Sequence, residues 1–173
     1  MPFFIETERL VLRELLPTDE AGMFALDADP EVQTYLGNKP ITSWAEAQQT
    51  IALIRQQYQD NGIGRWAMLE KATGNFMGWA GLKLITTPIN QHVNYYDLGY
   101  RLLPAYWHQG FATEAARASL HYGFTTLQLT KIYAMADTRN LASKNILEKV
   151  GFTCSETFIY EGTPHYWFKI TRK

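Results

Sequence analysis

The stretch Trp107-His108-Gln109-Gly110-Phe111-Ala112-Thr113-Glu114 joins a strand predicted to end near Leu102 to a helix predicted to start near Ala112. At a helix N-terminus the first amides lack intrahelical partners and the dipole is positive. A loop with a glycine and a small alanine there lets phosphate oxygens approach the backbone closely. A pyrophosphate suits this cradle, and a tight turn into the helix accounts for Gly110 equally well. A second constellation is Asn140-Leu141-Ala142-Ser143 followed by Lys149-Val150-Gly151-Phe152. It puts an asparagine where it can cap a helix and a serine on that helix's first turn. Neither residue is specific alone. The chain has no Gly-x-Ser-x-Gly, no His-Glu-x-x-His, no Cys-x-x-Cys pair and no glycine-rich loop running into Lys-Ser/Thr. Hydrolase, zinc and nucleotide-triphosphatase readings therefore lose their usual support.

These residues need elements to hold them. Glu8 to Arg13 alternates as a strand, and Pro17-Thr18-Asp19 opens a helical stretch through Met23, Phe24 and Leu26. Ser43-Trp44-Ala45-Glu46 has the capping-box form, and Ile51, Ile54 and Tyr58 carry a helix on to Asn61-Gly62. Trp66 to Glu70 and Asn75 to Leu84 flank Lys71-Ala72-Thr73-Gly74 as a β-hairpin, and Tyr95 to Leu102 follows as a strand. Ala112, Ala116, Leu120 and Phe124 recur every four residues, which predicts a helix from Ala112 to Thr126 with a small face. A strand over Ile132 to Ala136, a helix over Leu141 to Val150, and a closing hairpin around Glu161-Gly162-Thr163-Pro164 complete the order βααβββαβαββ.

The chain has 173 residues, which fits one domain over 1-173 able to bury its own core. An apolar fraction of 46% against 19% charged residues excludes intrinsic disorder. Sixteen Lys plus Arg against seventeen Asp plus Glu argue against a nucleic-acid binder or an anionic-membrane binder working by bulk charge. The lone Cys154 has no internal partner, no Cys/His group has zinc spacing, and Glu6 comes too early for a signal peptide. With no apolar span long enough for a membrane, the expectation is a cytoplasmic protein with no metal.

Taken together, the motifs resemble the GNAT superfamily of N-acetyltransferases, and within it the branch of the ribosomal-protein-alanine N-acetyltransferases. The carriers are Thr7-Glu8-Arg9-Leu10-Val11-Leu12-Arg13, Leu98-Gly99-Tyr100, Gly110-Phe111-Ala112-Thr113-Glu114-Ala115, and Asn140-Leu141-Ala142-Ser143 with Leu147-Glu148-Lys149-Val150-Gly151-Phe152. The resemblance spans nearly the whole chain. It implies an α/β (α+β mixed) GNAT fold: a splayed, mixed, mostly antiparallel sheet flanked by helices, holding acetyl-CoA in a V-shaped opening.

In such a fold the backbone of Tyr100, Arg101 and Leu102 would lie against the pantetheine arm, beside a β-bulge. His108, Gln109, Gly110, Phe111, Ala112 and Thr113 would bind pyrophosphate, and Asn140 would bond the cofactor arm. Relatives often carry Gln or Arg three residues before the glycine, where this chain has Trp107. Many place a tyrosine acid seven residues after the asparagine and a glutamate five before it, but these positions hold Leu147 and Met135. In this branch the resemblance makes Ser143, one turn before Leu147, the donor to the leaving thiolate. Asp97 is the nearest acidic candidate for a base acting through water, with a solvent-facing strand carboxylate as its plain alternative, and Glu14 is a further one. Glu114 reads as a helix-start carboxylate favoured by the dipole.

The implied reaction transfers an acetyl group to a primary amine on a protein N-terminus or a small molecule. A catalytically inactive GNAT-fold module that only binds CoA is the alternative, and the protein would be a monomer or homodimer. From Glu14 to Asn38 the chain has six acids and no Lys or Arg, leaving sixteen bases against eleven acids elsewhere. In the resembled family that segment walls the acceptor groove, so a cationic acceptor is expected if Glu14, Asp27, Asp29 and Glu31 face it.

Overall fold

The computed structural model describes residues 3–173. Eight strands form one sheet: β1 (Phe4–Glu6), β2 (Leu10–Glu14), β3 (Trp66–Glu70), β4 (Phe76–Ile85), β5 (Tyr95–Leu102), β6 (Lys131–Asp137), β7 (Thr153–Tyr160) and β8 (Thr163–Thr171). Five helices accompany them: α1 (Glu20–Asp27), α2 (Pro30–Gln33), α3 (Trp44–Asn61), α4 (Phe111–Thr125) and α5 (Leu141–Lys149). The strand order is β1-β2-β3-β4-β5-β6-β8-β7. Every pairing is antiparallel except β5 with β6. This is the mixed, mostly antiparallel sheet expected from the resemblance.

Local chemistry accounts for most element ends. Ser43 and Glu46 make the reciprocal capping box at the start of α3, and Gly62 ends that helix with φ +72°. Glu161 and Gly162 both have positive φ, so β7 and β8 meet in a two-residue turn and β8 begins at Thr163, earlier than the expected His165. Two elements of the observed order are additions to the expected one. β1 is only three residues long, and α2 is a single turn capped by Asp29, so neither has enough length to show a period.

The helices cover the two faces unequally. The small face of α4, with Ala115, Ala116, Ser119, Leu120 and Gly123, packs on one side of the sheet with Leu82, Leu98, Ile132 and Ala134. A Cβ at Gly123 would lie 2.8 Å from both Ile132 and Leu82 side chains, so glycine there sets how closely α4 approaches. On the other face α1 and α3 bury Met23, Leu26, Ala47, Ile51 and Ile54 against Ala67. Over β6, β7 and β8 that same face carries the half-buried Tyr133, Met135 and Phe158 around Trp167.

The parallel pair decides where a ligand can enter. β5 and β6 are bridged only at Asp97 and Tyr133. Beyond that point β5 continues to Leu102 and β6 to Asp137 without pairing, so the sheet opens between them into a V. The register of β4 with β5 runs regularly from Ile85 and Tyr95 to Gly78 and Leu102. The bulge expected beside the end of β5 is therefore absent. Register shifts occur at Met68/Leu69 and Cys154/Glu156 instead, and the divergence of the strands does the work assigned to a bulge.

Candidate active site

The start of α4 faces this gap with its amides free. Gly110 is the N-cap residue at φ +83°, and no side chain caps the helix. His108 is also left-handed at φ +59°, so the chain reverses sharply just before the first turn. Phe111 and Thr113 bury their side chains, which leaves their amides, and that of Ala112, as the groups this turn can offer an anion. His108 and Gln109 are exposed, and Gln109 Nε2 donates to the Ala105 carbonyl at 2.8 Å.

Arg9 and Glu114 fix this loop, and sequence reasoning missed the first and underrated the second. The Glu114 carboxylate accepts from Thr7 Oγ1, from the Arg9 amide at 2.9 Å and from Arg9 Nε at 2.8 Å. Arg9 Nη1 donates to the Gln109 carbonyl at 2.9 Å, and its guanidinium lies 4.2 Å from the Phe111 ring centre. Burial opposes charge on Glu114, but the hydrogen bonds from Thr7 and Arg9 outweigh it and hold the carboxyl below its usual range. A Cβ at Gly110 would meet Arg9 Nη2 at 3.2 Å, so the arginine stands beside the cradle as well as bracing it. The Thr7-Glu8-Arg9 motif is thus a grip on α4.

The structure narrows the expectations for the end of β5. A Cβ at Gly78 would lie 2.0 Å from the Arg101 carbonyl oxygen, so that carbonyl faces β4. Alternation then turns the main-chain groups of Tyr100 toward the gap. The Leu102 carbonyl also leaves the strand on that side, but Trp107 Nε1 takes it at 2.8 Å. Trp107 therefore serves the strand end, and of the three residues the Tyr100 peptide and the Leu102 amide stand open to a ligand. The Arg101 side chain passes to the opposite face, where Nη1 meets Asp27 Oδ1 at 2.7 Å.

Tyr100 also brings to the site a hydroxyl that no sequence spacing places there. Its Oη lies 2.9 Å from Ser143 Oγ and 3.2 Å from the Ser143 carbonyl oxygen. A carbonyl only accepts, so when Tyr100 donates to it Ser143 Oγ is the donor to Tyr100 Oη, and when Tyr100 turns its single proton to Ser143 Oγ the roles within the pair reverse. Burial raises the Tyr100 pKa, which keeps the phenol protonated at neutral pH. Asn140 caps α5 through Oδ1, which accepts from the Ser143 amide at 3.2 Å, leaving its carboxamide nitrogen able to reach a ligand. Asn140, Ser143 and Tyr100 thus meet at one edge of the gap.

Asp97 is not the solvent-facing carboxylate of the plain alternative. It is buried at the vertex of the gap, and Arg65 Nη2 pairs with its Oδ2 at 2.6 Å. Burial pushes its pKa up against the pull of Arg65. Arg65 also donates to the carbonyls of Gly81 and Asp97, and its guanidinium lies so flat over the sheet that a Cβ at Gly99 would meet Nη2 at 2.8 Å. That contact explains the glycine of Leu98-Gly99-Tyr100. Asp97 and Tyr100 are an odd number of residues apart in a strand, so their side chains point to opposite faces. The acid run is also partly spent. Asp19 is paired with Arg13 and Asp27 with Arg101, both acids being buried, while Glu14, Asp29 and Glu31 have no ion-pair partner among the described residues.

These features fit an acyl-CoA: an uncapped helix start for pyrophosphate, an opening between parallel strands for an extended arm, and hydroxyls at its rim. The comparisons with known proteins agree. The family described as an acetyltransferase (GNAT) domain matches residues 9–153. A Bacillus subtilis (strain 168) protein named as the uncharacterized N-acetyltransferase YoaA is 31% identical over 165 residues, covering 93% of this chain and 91% of that one. The FsC-acetyl coenzyme A-N(2)-transacetylase of Aspergillus fumigatus is 31% identical over 158 residues, covering 89% of this chain and 66% of that one. Among solved structures, the ribosomal L7/L12 α-N-protein acetyltransferase RimL in complex with coenzyme A superposes with a TM-score of 0.82, covering 98% of each chain at 17% identity, a likeness of fold. The alternative of an inactive binding module is set aside, and the chain belongs to the GNAT acetyltransferase family as an acetyl-CoA-dependent N-acetyltransferase.

Proposed function

We propose that the protein acetylates a primary amine by direct attack in the β5–β6 gap, with Ser143 and Tyr100 as the hydroxyl pair that meets the leaving sulfur. The observation that carries this reading is the 2.9 Å contact between the two hydroxyls at the rim of the opening. When bound, acetyl-CoA supplies the acetyl group as a thioester. The amides of Phe111, Ala112 and Thr113 would hold its pyrophosphate, with His108, Gln109 and Gly110 shaping the loop. The Tyr100 peptide and the Asn140 carboxamide nitrogen would align the arm.

The two hydroxyls form a fixed donor pair. Ser143 Oγ would turn its O–H from Tyr100 to hydrogen-bond the leaving sulfur, which takes its proton from water, while Tyr100 stays tied to the Ser143 carbonyl and keeps the serine oxygen in place. Positioning of the amine accounts for much of the remaining rate. Asp97 serves in this reading as a brace for Arg65, because its carboxylate is already engaged and faces away from Ser143. The proton lost by the amine passes to water.

Names of relatives support the amine class. They include an N(2)-transacetylase and an α-N-protein acetyltransferase, both acting on nitrogen. The unpaired Glu14, Asp29 and Glu31 favour an acceptor with a second cationic centre, and the pairing of Asp27 with Arg101 weakens that preference.

The test is thiol release from acetyl-CoA over a panel of peptide and small amines, repeated with Ser143→Ala, Tyr100→Phe and the double variant. Ser143→Ala is expected to lower kcat by about 10²-fold with acetyl-CoA affinity unchanged. The double variant should fall little further, because the two hydroxyls act as one unit. Unchanged kcat in both, with chemistry shown to limit turnover, would return Ser143 to a helix-start role.

A further inference from the structure

An alkyl amine is an ammonium ion in neutral water, and it must shed a proton before its nitrogen can attack a thioester. The side chain suited to taking a proton near neutral pH is histidine, of which the chain has four. His108 is exposed in the loop before α4, and His121 is exposed on α4 itself. His92, between β4 and β5, stacks on Trp167 at 4.8 Å and leans on Tyr133 at 5.1 Å, so its ring is packing. His165, the third residue of β8, has different surroundings.

His165 pairs across the sheet with Asp137, the last residue of β6, and β6 is one of the two strands that bound the gap. Residues directly opposite each other share a face, with Cβ atoms about 5 Å apart. By alternation along β6 and β8 that face is the one of Tyr133 and Trp167, away from α4. Asp137 is buried and accepts from the Arg139 amide at 2.9 Å, from Nε at 3.0 Å and from Nη2 at 2.7 Å. Those bonds outweigh burial and hold its carboxyl below the usual range, so a negative charge is kept opposite the imidazole. Asp137 also reaches the transfer site through its main chain. Its carbonyl accepts from the Asn140 amide at 2.9 Å, and Asn140 caps the helix that carries Ser143. His165 and Ser143 therefore stand at the same end of the gap, on opposite faces of the sheet.

The ring is set for one task. Nδ1 lies 2.9 Å from the Thr163 carbonyl oxygen, which can only accept, so Nδ1 carries the hydrogen and Nε2 of the neutral ring keeps its lone pair. Nε2 has no hydrogen-bond partner among the described residues. Tyr160 meets the ring at 5.3 Å and Phe158 at 6.0 Å, both from β7, and they limit how it can turn.

We propose that His165 Nε2 is the base that takes the first proton from the acceptor's ammonium group, on the face of the sheet opposite α4. This rests on the reading of the gap as the place of acetyl transfer. The cofactor is held from the side of α4 and α5, so the amine must come from the other side, where His165 stands. An N–H bond of the ammonium breaks and an Nε2–H bond forms, giving a neutral amine and an imidazolium that the Asp137 carboxylate steadies. The amine then attacks, its second proton passes to water, and His165 returns the first to solvent once the product has left.

The test uses His165→Ala and His165→Gln in the full chain with two amines of similar shape, n-propylamine, which arrives protonated, and 2,2,2-trifluoroethylamine, which arrives neutral. The glutamine keeps a donor for the Thr163 carbonyl but cannot act as a base. Both variants should lower the ratio of kcat/KM for propylamine over trifluoroethylamine by about 10²-fold, and added imidazole should restore part of the loss in His165→Ala. A structural role would lower both rates together, so an unchanged ratio would overturn the base and leave the reading of the gap standing. Nitrogen NMR of the wild type, with the His165 signals assigned by their loss in His165→Gln, should show the Nδ1–H form of the neutral ring. An Nε2–H form would overturn the assignment, and this readout alone decides if the wild type acetylates neither amine. Absence of CoA release with every amine of the wider panel would defeat the transfer reading and the base with it.

Discussion

At the start of α4 the groups offered to a ligand are peptide amides, and the side chains around them are turned to other work. Phe111 and Thr113 are buried, and Arg9 and Glu114 hold each other. Across the gap, in the segment from Asp27 to Ile41, the polarity is reversed: the main chain folds back on itself, and side chains make the working contacts through Arg101 and Arg139. The difference teaches where each surface can change. A cradle of amides depends on conformation and tolerates most side chains that leave φ undisturbed. A segment held by side-chain pairs can be retuned by a single substitution.

The sharpest way to break this comparison is to put a side chain into the cradle. Gly110→Glu forces a non-glycine residue to φ +83°, places a Cβ 3.2 Å from Arg9 Nη2 and brings a negative charge to an anion site. Acetyl-CoA affinity measured by calorimetry should weaken by about 100-fold with the melting transition still cooperative. Wild-type affinity would mean that the amides of α4 do not hold the pyrophosphate.

A smaller effect is expected from the brace beneath the cradle. Glu114→Gln removes the charge that receives Thr7 and Arg9 and should lower stability at pH 7 by about 1–3 kcal/mol in urea denaturation. The sign with pH follows from the depressed carboxyl. Its contribution is present above the ordinary carboxyl value of 4.5 and is lost as the pH falls through the lower folded value. The gap between wild type and variant should therefore close on acidification. A gap that stays constant down to pH 2 would show that shape, and not charge, holds α4.

The smallest effect concerns the acid run. The preference in kcat/KM for a basic over a neutral amine should fall by about threefold on going from low to high salt, because Glu14, Asp29 and Glu31 lie where solvent ions screen them. A preference for acidic amines would show that these charges are a solvated surface only.

Much of the fold was legible because it is written locally. The capping box at Ser43 and Glu46, the left-handed Gly62 and the small face of α4 each act within a few residues, and each appears where the pattern puts it. The loop before α4 and the Asn140 cap were legible for the same reason: a glycine before a helix and an asparagine at its first turn carry their geometry with them. β1 and α2 escaped because elements of three and four residues carry no periodicity.

The pairings that give the site its character span the chain. Arg9 with Glu114, Tyr100 with Ser143, Arg65 with Asp97 and Asp27 with Arg101 join residues that no spacing rule connects. The sequence by itself determined the order of most elements, the helix starts that face the gap, and the family to which the chain belongs, because backbone preference and short motifs suffice for these. Only the tertiary structure decided that Asp97 is a buried brace, that a tyrosine hydroxyl stands beside Ser143, and that two of the six acids between Glu14 and Asn38 are already paired. Whether a carboxylate is a free charge or a spent one depends on which distant cation the folded sheet brings within about 3 Å, and that is a property of packing.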